Sequence, residues 1–281
     1  SAQGGYNVFG GYQIENETPI HVTMENVKDQ TKEGNGKTYI VPNVMQTSIK
    51  SVYKAIEEHV GSEDAPGPFY EFQKLMIDAG VFAINEDFAS YGQTVDPFNT
   101  YHYTVYVPSN ESIREAIAAG LPTMEDAEEY ILTQEDNYYF EADDYRDSIR
   151  AILADFVNYH IQDNSVYVGG GHTTGNFETS TLDETTGTFC RIKVIGSNND
   201  ISLQDGAGNT QKVDTSDPAL YNIMTRDYLF DNKDLQKSTL IETSSYAVVH
   251  RVPNVMFHKK EQIKGYIEKV KRLQEQFSSN E

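Results

Sequence analysis

The alternation of apolar and polar positions is cleanest over residues 101–117, YHYTVYVPSNESIREAI. Tyr101, Tyr103, Val105 and Val107 alternate with His102, Thr104 and Tyr106, the pattern of a pleated strand rich in β-branched and aromatic side chains. Pro108 cannot donate to a sheet ladder and ends that strand. Ser109 or Asn110 then offers an oxygen to the free N–H groups of a helix, with Glu111 in its positive first turn. Ile113, Ala116 and Ile117 recur at helical spacing. The stretch predicts a strand that turns directly into a helix, a corner able to orient one core.

The same periodicity marks four further helices. Residues 48–60 place Ile49, Val52, Tyr53, Ile56 and Val60 on one face, and residues 69–79 do so with Phe69, Phe72, Leu75, Met76 and Ala79 before the stop at Gly80. Residues 145–159 carry Ile149, Ile152, Leu153, Phe156 and Val157; residues 259–277 carry Ile263, Ile267, Val270, Leu273 and Phe277. Period-two runs predict strands at 12–14, 20–24, 37–45, 165–168, 175–182, 189–195, 201–203, 211–213 and 246–252. In the last, Val248 and His250 face one way and Ala247, Val249 and Arg251 the other. Residues 32–36, 169–171 and 205–209 read as turns, and 62–68 and 91–99 as loops. Residues 217–230 form an insertion of mixed pattern, with Pro218 where a helix can begin.

One pentapeptide occurs twice: VPNVM at 41–45 and again at 252–256, each after a β-like run and before a helix-like stretch. Self-similarity of this kind is how tandem units show themselves. The expectation is that residues 1–46 are the closing strands of a preceding unit, that 47–258 form the main domain with insertions, and that 259–281 form a C-terminal helix. The alternative is one domain whose first and last segments pair.

Three segments carry a family resemblance. TVYVPSNESI (104–113) resembles the first signature box of the fasciclin-type (FAS1) domain, LADFVNYHI (153–161) its helix-to-strand segment ending in Tyr-His, and YAVVHRVPNVMF (246–257) its closing strand. The boxes come in the family's order and span roughly residues 47–258, although Arg251-Val252-Pro253-Asn254 departs from the usual spelling and the spacers are long. The resemblance implies an α+β fold, a fasciclin-like β-sandwich or wedge of two sheets with helices packed on one side. It also implies an exported adhesion or binding protein, here of bacterial surface lipoprotein type, with its leader removed and with further tandem units in a longer chain.

Composition narrows the partners. With 43 acidic against 22 basic residues the 281-residue chain has a net charge of −21, which repels phosphate backbones and anionic membranes. No run of about 18 apolar residues suggests a membrane span. Cys190, the single cysteine, alternates within a strand-like run and reads as a small buried apolar side chain.

The acids concentrate at 125–147, interleaved with Tyr138, Tyr139, Phe140 and Tyr145. Hard oxygen ligands suit calcium, but the spacing is not that of an EF-hand loop, and a solvated helix face accounts for such a run. Aromatic and carboxylate groups together also build sugar- and peptide-binding surfaces. Tyr138 and Tyr139 are therefore candidate ligand contacts, alongside Tyr159 and His160, whose Tyr-His pair the resemblance links to partner recognition. A structural reading stands beside it: an aromatic and a histidine at a helix exit lock that exit by packing and hydrogen bonding.

Neither glycine run has phosphate-loop spacing, His250 has no second ligand at zinc-like spacing, and no G-x-S-x-G or H-E-x-x-H motif occurs. The sequence thus implies no cofactor, no metal and no catalytic residue. Its reading is a non-catalytic extracellular binding module of the cell envelope, contacting protein or polysaccharide. The alternative is a glycan-active hydrolase whose paired carboxylates converge in an acidic cleft.

Overall fold

The computed structural model describes residues 6–8, 20–29, 36–45, 48, 50–84, 93–95, 102–134, 139–169, 173–197, 199–230 and 241–278. The chain begins with the short strands β1 (Tyr6–Val8), β2 (Ile20–Val22), β3 (Val27–Asp29) and β4 (Lys37–Tyr39). Helices α1 (Val52–Glu57) and α2 (Tyr70–Asp78) follow, then β5 (Phe82–Ile84) and β6 (Gln93–Val95). The middle comprises β7 (His102–Pro108), α3 (Asn110–Ala119), α4 (Met124–Thr133), α5 (Tyr139–Asn158) and β8 (Ile161–Asp163). The last part comprises β9 (Thr174–Asp183), β10 (Thr188–Gly196), β11 (Ile201–Gln204), β12 (Thr210–Lys212), β13 (Ile223–Phe230), β14 (Ile241–Val252) and α6 (Gln262–Ser278).

Eight strands form one sheet in the order β12-β11-β10-β9-β8-β7-β14-β13, and β1–β2, β3–β4 and β5–β6 pair separately. β14 lies parallel to β7, with Tyr246 opposite His102 and Val252 opposite Pro108, while the other ladders are antiparallel. Two halves meet at the Gln162↔Thr179 pair of β8 and β9. Where the resemblance implies a wedge of two sheets, the described residues show three separate two-stranded pairs and a curled eight-stranded sheet. The three-residue β8 is the link that makes it continuous.

Alternation along β7 divides the interior. Tyr103, Val105 and Val107 join a large cluster with Ala247 and Val249 of β14 and the apolar faces of α1 to α6. Tyr106 on the other face joins Val252, Ile192, Val194, Ile201 and Leu203, so the β10–β11 end curls over the β7–β14 centre. The three signature segments converge on this shared wall between two clusters, not on a single interior.

Local chemistry sets the corners. Ser109 caps α3: its hydroxyl accepts the Ser112 amide and donates to the Pro253 carbonyl at 2.6 Å. Gly120 closes α3 at φ 116°, a left-handed conformation that favours glycine, and Ile267 of α6 packs on its open side. Thr123 and Asp126 form a capping box that starts α4 inside the acidic run. The expected strand over 37–45 ends at Tyr39, and two further expected elements differ. Residues 165–168 are not a strand, because Val166 exchanges ladder bonds for side-chain ones: its amide donates to Thr104 Oγ1 and its carbonyl accepts from His250. Residues around Pro218 form a turn, and the rest of that insertion is β13, which covers the edge of β14.

The two VPNVM copies have different surroundings. Val252 and Met256 are buried in the second cluster, whereas of their counterparts Val41 is partly buried and Met45 is 53% exposed. No helix among the described residues is long and apolar enough to cross a membrane.

Candidate functional site

Tyr159 and His160 sit where α5 runs into β8, and both are fully buried. The Tyr159 hydroxyl donates to the Arg191 carbonyl at 2.9 Å and accepts the Gly206 amide at 2.8 Å. Burial, helped by the nearby Asp205 charge, pushes its pKa well up despite the Gly206 hydrogen bond. His160 is bracketed by Phe72, Phe156 and Tyr159, and burial drives its pKa down to about 4. Tyr138 lies outside the described residues, and Tyr139 is placed only as the first residue of α5. Of the four sequence candidates, Tyr159 and His160 stand edge to face at this exit.

His160 belongs instead to a clamp around the second VPNVM. Ser109 holds the Pro253 carbonyl, and the Gln211 side chain bonds both the amide and the carbonyl of Asn254, at 2.8 and 2.9 Å. His160 Nε2 accepts the Met256 amide at 3.0 Å, and Asp205 Oδ2 accepts the Phe257 amide at 3.0 Å. The Phe257 carbonyl accepts from Ala207, and the His258 amide donates to Gln262. Backbone groups that have no strand partner are satisfied one by one, by side chains and by the Ala207 amide, which fixes the path of the ribbon into α6.

That path places His258 and α6 beside α5 and the β9–β10 turn, around a cleft of about 390 Å³. At its floor the Tyr266 hydroxyl donates to Asp155 Oδ2 at 2.6 Å, His258 Nε2 lies 3.3 Å from the same oxygen, and Gln262 donates to Tyr266. Burial alone would raise the Asp155 carboxyl, but the hydrogen bonds from His258 and Tyr266 outweigh it and hold the group below its ordinary value, hence ionised. Burial, with Asp155 adjacent, pushes the Tyr266 phenol up and keeps it a donor. One wall is the turn from Leu182 to Thr185; the other carries Lys259, Lys269 and Arg272. The floor is itself anchored, since Thr181 Oγ1 donates to the Asp155 carbonyl and Ser180 Oγ to that of Asn158, capping the end of α5.

Sequence reasoning missed this set. Asp155, His258, Gln262 and Tyr266 are separated by about a hundred residues in two groups, and the only local signal is the i, i+4 spacing of Gln262 and Tyr266 on one helix face.

Four acids of the run are in ion pairs, Glu125 with Lys74, Glu128 and Asp143 with Arg146, and Asp147 with Arg150, and Asp126 belongs to the capping box of α4. Among the described residues no three His, Cys, Asp or Glu side chains gather as a metal site. Cys190 is partly buried against the second cluster and burial pushes its thiol up, away from reactivity. Comparison with known proteins finds neither a matching family model nor a matching curated protein.

Proposed function

We propose that this chain is a non-catalytic binding module of the cell envelope, of fasciclin type, that contacts a polysaccharide or protein through the cleft between α5, α6 and the β9–β10 turn. The observation that carries the reading is the fixed floor of that cleft. Asp155 is locked ionised by two side-chain partners, so its oxygens are preset acceptors. A cleft of about 390 Å³ falls in the usual range of ligand sites, ~300–1,000 Å³. Helices on one face of a curled sheet, and the three signature segments on its central wall, are consistent with the fasciclin-type wedge. Export to the outer surface, and further units of the same kind in a longer chain, belong to this reading.

The test is a glycan-array and pull-down screen with the soluble chain, run beside Tyr266→Phe and Asp155→Asn. Capture of a ligand that both substitutions weaken supports the proposal; capture indifferent to them, or none, removes the cleft from it. The hydrolase alternative draws on the carboxylates Asp155, Asp183, Glu184 and Glu268 that line the same cleft. Glycoside cleavage needs one carboxyl kept protonated by a raised pKa, and Asp155 and Asp183 are both shifted the other way. Release of new reducing ends from a bound glycan would decide for the hydrolase.

A further inference from the structure

We infer that the cleft takes an acidic oligosaccharide, with a uronic-acid carboxylate at the Lys259–Lys269–Arg272 wall and ring hydroxyls at the Asp183–Thr185 wall. The inference rests on the binding-module reading and names its ligand class.

Many cations of this molecule are already matched by a carboxylate. Its net charge is −21, and cations such as Lys50, Lys74, Arg114, Arg146 and Lys212 each hold a carboxylate. Among the described residues Lys259, Lys269 and Arg272 form no ion pair, as Lys193, Lys260 and Lys271 also do not, but of these six only the first three line the cleft. Lys259 makes its field felt there, since it helps lower both Asp155 and Asp183 across the gap. An anionic group entering the cleft completes what the chain leaves open.

The opposite wall disfavours a ligand that offers only anionic acceptors. Asp183 and Glu184 present acceptors, so the same ligand must also bring hydrogen-bond donors. Asp183 already accepts the Thr185 amide at 2.8 Å, which holds the turn in shape. Beside it, Leu182 lines the cleft and is 47% exposed, and its cross-strand partner Phe189 is 48% exposed at the cleft's margin. Carboxylate, hydroxyl donors and apolar ring faces occur together in a uronic-acid sugar. A phosphate chain has no donors for Asp183 and Glu184, and an acidic peptide lacks a repeating row of hydroxyls. A second hollow of about 360 Å³ shares Lys259 and Gln262 with the first, on the other side of the first turn of α6. That gives room for a short oligosaccharide rather than a single sugar.

The experiment titrates trigalacturonate, and separately its fully methyl-esterified form, into the whole chain at low ionic strength. Binding is followed by calorimetry and by amide NMR shifts. The acid form is expected to move resonances of residues 182–185 and 258–272, and to bind about tenfold more tightly than the ester. The exposed pair Lys269→Gln with Arg272→Gln, checked for an unchanged melting curve, should weaken the acid form by about tenfold, while Lys193→Gln on β10 should leave it within about twofold. Equal affinity for the ester overturns the acidic assignment and leaves the binding-module reading in place. Equal loss with Lys193→Gln overturns it as a diffuse charge effect. Shifts with neither sugar overturn the inference, and the pull-down screen then decides the broader reading on its own.

Discussion

His160 accepts the amide of Met256 on Nε2 at 3.0 Å while its Nδ1 donates to the Phe156 carbonyl at 3.0 Å. His250 does the reverse: Nδ1 accepts the Asn222 amide at 3.2 Å and Nε2 donates to the Val166 carbonyl at 2.7 Å. The partners therefore fix two opposite neutral tautomers, and a proton on either accepting nitrogen would point a donor at an N–H. Burial holds both rings down to about 4.

This arrangement predicts acid sensitivity. The folded-state values lie below the unfolded value near 6.5, so the unfolded chain binds these protons first. The stabilisation is complete above about pH 6.5 and is lost as the pH falls toward about 4, by on the order of 2–3 kcal/mol for each histidine. Urea unfolding across that range, with NMR titration of the two imidazoles, checks it. Stability that stays flat down to about pH 4.5, or a ring titrating near 6.5, would contradict the locked tautomers.

Gly206→Ala should be costly. A Cβ there would lie 2.0 Å from the His258 carbonyl oxygen, and backbone cannot swing aside as a flexible side chain does. The substitution also disturbs the Gly206 amide that reaches Tyr159. A loss of about 2–3 kcal/mol is expected in chemical denaturation, against about 1 kcal/mol for Gly187→Ser, where space is open and only the left-handed backbone is strained.

Asp227 is the buried tie between α1 and the sheet. It accepts the Val52 amide at 2.9 Å and the Tyr103 hydroxyl at 2.9 Å. Asp227→Ala leaves both donors buried without that carboxylate and should cost about 2–4 kcal/mol, with α1 losing protection first in hydrogen exchange. Tyr103→Phe, which removes one donor and keeps the ring, should cost about 1–2 kcal/mol.

Tyr266→Phe removes the shortest hydrogen bond described for Asp155 and should raise that carboxyl toward its ordinary value. A depressed carboxyl stabilises the fold above its unfolded pKa and loses that contribution as the pH falls through the folded value. The variant should therefore be weaker at neutral pH by about 1 kcal/mol, with the gap closing in acid. Carbon-detected NMR of Asp155 gives the shift directly.

The parts of the molecule written in short-range pattern were legible in the sequence. Helix α3, with its cap at Ser109, α2 ahead of Gly80, and strands β9 to β11 follow from periodicity and turn chemistry. What escaped depends on distant partners. Val166 looks like a strand residue until Thr104 and His250 take its backbone groups. The Pro218 region looks like a helix start until β14 requires an edge neighbour. The candidate site escaped for the same reason: Asp155 is an unremarked acid on a helix, and only the fold sets Tyr266 and His258 against it.

The parallel pairing of β7 with β14 joins segments more than half the chain apart, and no local hairpin can form it. During synthesis β7 and its corner helix are complete long before their main neighbour exists. Until residues 241–252 arrive, β7 offers an open edge of Tyr and Val side chains, a surface prone to sticking to another nascent chain. The centre of this sheet is thus the last place the polypeptide becomes safe from aggregation, and shortening the chain at its C-terminal end should harm yield far more than shortening it at its N-terminal end.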